Sequence, residues 1–233
     1  MPTTVPYEQQ TLDNPNPIAR FAHRTRFKKS AALVLDGLKP GATVFDYGCG
    51  QGRFLHELTE SLKSRPEHAD TKFLGYDPFM TAKFPGYTIF SDLDAVADES
   101  LDVITSLEVC EHLDDMATAR FVRFIAEKLK PDGKALVTVP IMIGPAVLVK
   151  ELSRSLLFRR RSDTASAELW RAAFLNVPPT RAEDIAVSHR GYDWRVTHRI
   201  LSERFRCEKL MFSPLPFVGG YGNSQAMMVF RKS

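Results

Sequence analysis

Apolar residues in this 233-residue chain recur at two spacings that alternate along its first 140 positions. Short apolar runs stand at residues 44–46, 71–77, 87–90, 101–107 and 135–139, each bounded by turn or polar residues, and predict buried strands. Between them Phe54, Leu55, Leu58 and Leu62, and later Phe121, Val122, Ile125 and Leu129, repeat at helical spacing. The second of these helices is expected to end in a turn at Lys130-Pro131-Asp132-Gly133. An earlier helical pattern over 18–38 carries Arg20, His23, Arg24, Arg26, Lys28 and Lys29, and Lys39-Pro40-Gly41 stops it. Strands separated by helices predict an α/β fold with a parallel sheet and crossover helices. The tail differs: residues 205–212 and 225–230 read as two strands with no helix between them, hence an antiparallel hairpin.

Four regions follow from this pattern. Residues 1–38 form a polar, proline-rich arm and a helix, 39–140 the core, 141–188 a helical cap insertion over the active face, and 189–233 the rest of the core sheet. A hydrophobic share of 44% and a charged share of 25% describe an ordinary soluble domain. The formal charge of +3 is too small to argue for nucleic acid. Cys49, Cys110 and Cys207 form no CxxC pair, as expected of reduced thiols in the cytoplasm. No apolar run approaches the ~20 residues that span a bilayer, and no signal-peptide pattern is present.

The chemistry concentrates at Val44-Phe45-Asp46-Tyr47-Gly48-Cys49-Gly50-Gln51-Gly52-Arg53-Phe54. A strand that breaks into alternate glycines and re-enters a helix offers a ligand bare backbone and unpaired helix N–H groups. A nicotinamide or flavin enzyme would need G-x-G-x-x-G, but Arg53 and Leu55 stand where the third glycine belongs. The acidic residue followed by three alternate glycines resembles the S-adenosylmethionine (SAM) loop of class I methyltransferases. Across residues 40–140 the chain also resembles the ubiquinone-biosynthesis O-methyltransferases, through Asp77, the Lys-Pro-Asp-Gly turn and Glu108-Val109-Cys110-Glu111-His112-Leu113.

That resemblance implies a Rossmann-like methyltransferase fold, a mostly parallel seven-stranded sheet closed by the C-terminal antiparallel hairpin. It implies SAM as cofactor, with Asp46 toward the methionine part and Gly48, Cys49, Gly50 and Gly52 beneath it. Asp77, followed by Pro78, would accept the ribose hydroxyls, roughly 1.5–3 kcal/mol for each charged hydrogen bond. Asp92 and Leu93 would face the adenine, although Asp92 also suits a helix cap, and Leu107 and Glu108 would line the cofactor's reactive end.

Methyl transfer to oxygen needs alignment, worth ~7–11 kcal/mol, and a route for the hydroxyl proton. His112 and His189 are candidate bases, with Glu108 as a third catalytic candidate. Glu108, Glu111, His112 and His189 also follow an order similar to the small-RNA 3′-terminal 2′-O-methyltransferases, in which such a set binds a divalent ion. A metal is the minority reading, and a packed His112 is its bland alternative. Residues 145–161 predict a cap helix whose other reading is a lid that gates the acceptor or touches a membrane surface. Arg159, Arg160 and Arg161 with Arg20, Arg24 and Arg26 could hold an acidic acceptor, although charge runs are more often solvated. Tyr192, Asn223, Ser224 and Gln225 are expected near the cleft mouth, with Tyr192 equally suited to the core. The Asn/Asp-Pro-Pro-aromatic element of nucleic-acid amino methyltransferases is missing after residue 107; Asn176-Val177-Pro178-Pro179 has the wrong order. His189-Arg190-Gly191-Tyr192-Asp193 with Asn223-Ser224-Gln225 resembles methyltransferases of bacterial surface-polysaccharide pathways, and the resemblances together imply O-methylation of a hydroxyl on a small molecule or saccharide. An RNA 2′-O-methyltransferase and a non-catalytic SAM-binding partner protein are the alternatives.

Overall fold

The strand that carries the glycine loop lies inside the sheet. The computed structural model describes residues 16–79, 84, 87–158, 164–186 and 188–232. Helix α1 (Pro17–Leu35) leads into β1 (Thr43–Tyr47), and α2 (Arg53–Leu62) connects β1 to β2 (Lys72–Tyr76). Strand β1 pairs in parallel with β2 on one side and with β4 (Leu101–Leu107) on the other, while β3 (Thr88–Phe90) adds beyond β2. Helix α3 (Asp115–Lys128) leads to β5 (Leu129–Pro140), and α4 (Ala146–Phe158), α5 (Ser166–Leu175) and α6 (Trp194–Ser202) precede the hairpin β6 (Phe205–Ser213) and β7 (Gln225–Lys232). The order is β3-β2-β1-β4-β5-β7-β6, with β7 antiparallel to both neighbours. This is the expected seven-stranded methyltransferase-type sheet. Strand order reverses between β1 and β4, so a crevice opens beyond their carboxyl ends, where ligands of open α/β sheets bind.

Side-chain alternation covers both faces of the sheet. Val44 and Val103 join Phe54, Leu55 and Leu58 of α2, while Phe45 and Ile104 join Phe121, Phe124 and Ile125 of α3. Helix α2 therefore buries the four apolar positions that its spacing picks out. Asp114 caps α3 by accepting from the Ala117 N–H at 2.7 Å. One element departs from expectation. Lys130-Pro131-Asp132-Gly133 is a protrusion within β5, not a turn before it: Leu101 faces Leu129, yet Val103 faces Lys134. Lys130 reaches back to Asp102 at 2.8 Å, and Arg231 donates to the Asp132 carbonyl at 2.8 Å, which holds the protrusion against its neighbours.

Within 141–188 the chain forms α4 and α5, joined where the Gly144 N–H donates to the Ala172 carbonyl at 2.8 Å. Arg159, Arg160 and Arg161 lie outside the described residues, as do residues 1–15 of the N-terminal arm. After α5, residues 176–186 and 188–193 form no helix or strand. No helix among the described residues is long and apolar enough to cross a membrane.

The tail corrects one expectation. Asn223, placed near the cleft mouth by sequence, is fully buried and ties its own loop together. Its carboxamide accepts from the Leu215 N–H and donates to the Leu215 and Gly219 carbonyls, each at 2.7 Å. Gln225 is likewise buried, paired opposite Pro140 in β7. Asn223→Ala removes three part-buried hydrogen bonds to the loop backbone and should cost about 1–3 kcal/mol, read as a lower urea midpoint with unchanged slope.

Candidate active site

Two loops meet at the crevice. The first, after β1, turns through glycines at positive φ, Gly48 at 77°, Gly50 at 56° and Gly52 at 84°. Its amides are anchored by β2: Gly48 and Cys49 N–H donate to the Tyr76 carbonyl at 2.7 and 3.0 Å, and Gly50 N–H donates to Asp77 Oδ2 at 2.9 Å. The other Asp77 oxygen accepts from Phe79 N–H at 2.9 Å. Asp77 thus braces the loop through both of its carboxylate oxygens. Pro78 follows it, exposed.

The bare backbone expected at Gly48 and Gly52 is covered by protein. A Cβ at Gly48 would lie 2.4 Å from a Val109 methyl, and one at Gly52 would lie 1.9 Å from the Tyr87 ring. These positions are glycine because side chains pack on them and because φ is positive. Cys49 is buried, its thiol pKa pushed up by burial, and its sulfur sits where a Gly75 Cβ would come within 2.8 Å.

Asp46 is buried in β1, and Thr105 of β4 donates to its Oδ1 at 2.6 Å. Burial raises its pKa to about 7, against the opposing hydrogen bond from Thr105. Asp92 caps a short turn by accepting from Asp94 N–H at 3.0 Å, as its cap reading expects. With Tyr76, Ser91, Leu93 and Arg120 it lines an open polar groove; Leu93 itself is buried.

The second loop follows β4. Leu107 is buried against the α2 side, and Val109 packs over Gly48, so residues 108–112 lie beside the glycine loop. Glu108 stands at φ 59°, rare for a non-glycine residue and typical of positions held for function. Its Oε2 lies 3.0 Å from Arg26 Nη1 of α1, an ion contact without hydrogen-bond alignment. Arg26 is 1% exposed. This corrects two expectations: Glu108 does not join Glu111 and the histidines, and Arg26 is committed to Glu108 rather than free for an acidic acceptor.

Glu111, His112 and His189 do converge. Glu111 is 0% exposed, and neither carboxylate oxygen has a hydrogen-bond partner among the described residues. Burial, then the charge of Glu108, raises its pKa well above the usual carboxylate range. His112 Nδ1 lies 2.8 Å from the Ile185 carbonyl, and His112 Nε2 lies 3.1 Å from His189 Nε2. Burial, with nearby Lys150, lowers the pKa of His189 to about 3. The segment after α5 delivers these partners. Arg181 donates to the Glu111 backbone carbonyl and sits 5.4 Å over the Tyr192 ring. Tyr192 is core, its hydroxyl 2.5 Å from Thr197 Oγ1. Sequence reading missed Arg181 and the Ile185 carbonyl, and gave Arg26 a different role. Arg26 alone left a trace: with Phe27, Ser30 and Val34 it falls on the buried stripe of α1.

Against known proteins, the methyltransferase-domain family matches residues 18–198. The chain belongs to this methyltransferase family. SAM is its methyl donor. Solved structures share the fold at low identity. The PH0226 protein of Pyrococcus horikoshii OT3 is 14% identical, with TM-score 0.59, covering 97% of this methyltransferase and 96% of its own chain. A SAM-dependent methyltransferase of Aquifex aeolicus is 13% identical (TM-score 0.52, 94% of each chain). The N-methyltransferase NodS of Bradyrhizobium japonicum WM9 is 15% identical (TM-score 0.51, 95% of this chain and 98% of that one). No curated protein matches the chain.

Two predictions follow from the donor side of the methyltransferase. Asp77→Ala removes the brace on Gly50 and should weaken S-adenosylhomocysteine binding at least about tenfold by calorimetry. For Asp46, the folded chain keeps a proton that the unfolded chain has lost between about pH 4 and 7, so stability falls as pH rises through that window. Ligand-free wild type should lose about 2–3 kcal/mol more than Asp46→Asn between pH 5 and 7.5 in urea titrations.

Proposed function

We propose that this methyltransferase moves the SAM methyl group onto a hydroxyl oxygen of a small molecule or saccharide. The carrying observation is the pair of imidazoles, Nε2 to Nε2 at 3.1 Å, beside a buried carboxylate at the carboxyl edge of β4. SAM occupies the crevice beside the glycine loop, with Asp46 and Asp77 on its methionine and ribose ends and Asp92 with Leu93 toward its adenine. In the reaction the sulfur–methyl bond breaks as the oxygen–methyl bond forms. The sulfonium becomes a neutral thioether, and the hydroxyl proton passes to His112 or His189. A neutral amine is already nucleophilic and has little need of such a cluster, whereas a hydroxyl must shed its proton.

The shape of the edge supports a compact acceptor. Arg181 and Ile185, from the segment after α5, hold the Glu111 backbone and the His112 ring, and we read this as narrowing the approach. Turnover is read as S-adenosylhomocysteine released with separate pools of sugar nucleotides, catechols, short RNA and amines. Release from a small hydroxyl-bearing pool is expected, with His112→Ala lowering kcat about 10²-fold or more while S-adenosylhomocysteine affinity holds. Turnover confined to amines overturns the reading, turnover confined to RNA favours the 2′-hydroxyl alternative, and none from any pool favours a SAM-binding partner protein.

A further inference from the structure

We infer that Glu111, His112 and His189 form a three-ligand site for a divalent transition-metal ion, Zn²⁺ by its donor set, with coordination positions left for the acceptor's oxygen. The three atoms Glu111 Oε1, His112 Nε2 and His189 Nε2 are 3.1, 3.7 and 4.0 Å apart in pairs. The circle through them has a radius of about 2.1 Å, which is the bond length Zn²⁺ makes to imidazole nitrogen and carboxylate oxygen. One point thus lies at bonding distance from all three atoms without any of them moving.

Two further observations belong to a ligand set. The Ile185 carbonyl can only accept, so a neutral His112 ring carries its proton on Nδ1 and turns the Nε2 lone pair toward His189 and Glu111. Glu111 is fully buried, and both its oxygens lack a hydrogen-bond partner among the described residues, an arrangement that costs several kcal/mol unless a cation or proton answers it. Arg181 and Ile185 hold the cluster from the backbone side, the outer support that ligating groups need. Glu108, expected as a fourth ligand, is spent on Arg26. Two imidazoles and one carboxylate make a catalytic rather than a closed structural set, since a closed site uses four protein ligands. The role rests on reading this edge as the acceptor side: the ion would bind the substrate hydroxyl and lower its pKa.

The test uses the full chain, stripped with chelator and dialysed, with Zn²⁺ as probe. One ion per chain is expected by calorimetry and elemental analysis, and Co²⁺ in its place should give the visible bands of imidazole ligation. Glu111→Gln, nearly isosteric, and His189→Ala should each weaken Zn²⁺ at least tenfold, with circular dichroism and S-adenosylhomocysteine affinity unchanged. Absence of uptake by wild type, or uptake undiminished in both variants, overturns the inference. S-adenosylhomocysteine release that persists in stripped, metal-free protein also overturns the role while leaving the proposed transfer intact. Failure of that transfer would show instead as metal uptake without turnover from any hydroxyl pool.

Discussion

A guanidinium sealed from water obliges its surroundings to supply a negative charge, and the acceptor edge is organised around that demand. Arg26, on the inward stripe of α1, meets Glu108 at the first position beyond β4. Removing one member of such a pair costs about 3–5 kcal/mol, because the other charge stays buried. The contact spans the first helix and the middle of the sheet, and the left-handed backbone of Glu108 aims its carboxylate toward α1. The turn that follows then carries Val109 over the glycine loop and Glu111 inward. The glycine loop and the Glu111 cluster are registered to one another through this short stretch.

The sheet was legible because periodicity reports burial. The apolar runs and helical spacings located every parallel strand, and β4 matched to the residue. The protrusion at 130–133 was not, because Pro-Asp-Gly chemistry reads alike in a turn between elements and in an excursion from a strand. The glycine loop was found, but at Gly48 and Gly52 for an incomplete reason. A sequence does not say whether a missing Cβ makes room for a ligand or for Val109 and Tyr87.

At the acceptor edge, spacing could place Glu111 and His112 one residue apart but could not bring in His189, 77 positions away. Order along the chain suggested four convergent groups; the fold delivers three and diverts Glu108. That diversion depends on a charge inside α1, and local sequence around Glu108 holds no trace of it. Asn223 shows the converse: a polar side chain in a Gly-rich stretch looked like an exposed contact and proved to be a clasp for a loop.

Gly191 turns the chain at φ 73°, where any Cβ would strike the Pro179 carbonyl and the Arg181 backbone. The described parts of the strap, residues 176–186 and 188–192, therefore fold closely together at Gly191, just where they lend Arg181, Ile185 and His189 to the cluster. Its coherence is a property of the strap and not of the sheet beneath. The glycine loop and its Asp77 brace belong to β1 and β2, whereas the cluster takes Ile185 and His189 from this strap. Changes confined to the strap would therefore redraw the cluster while leaving the Asp77 brace on the glycine loop in place.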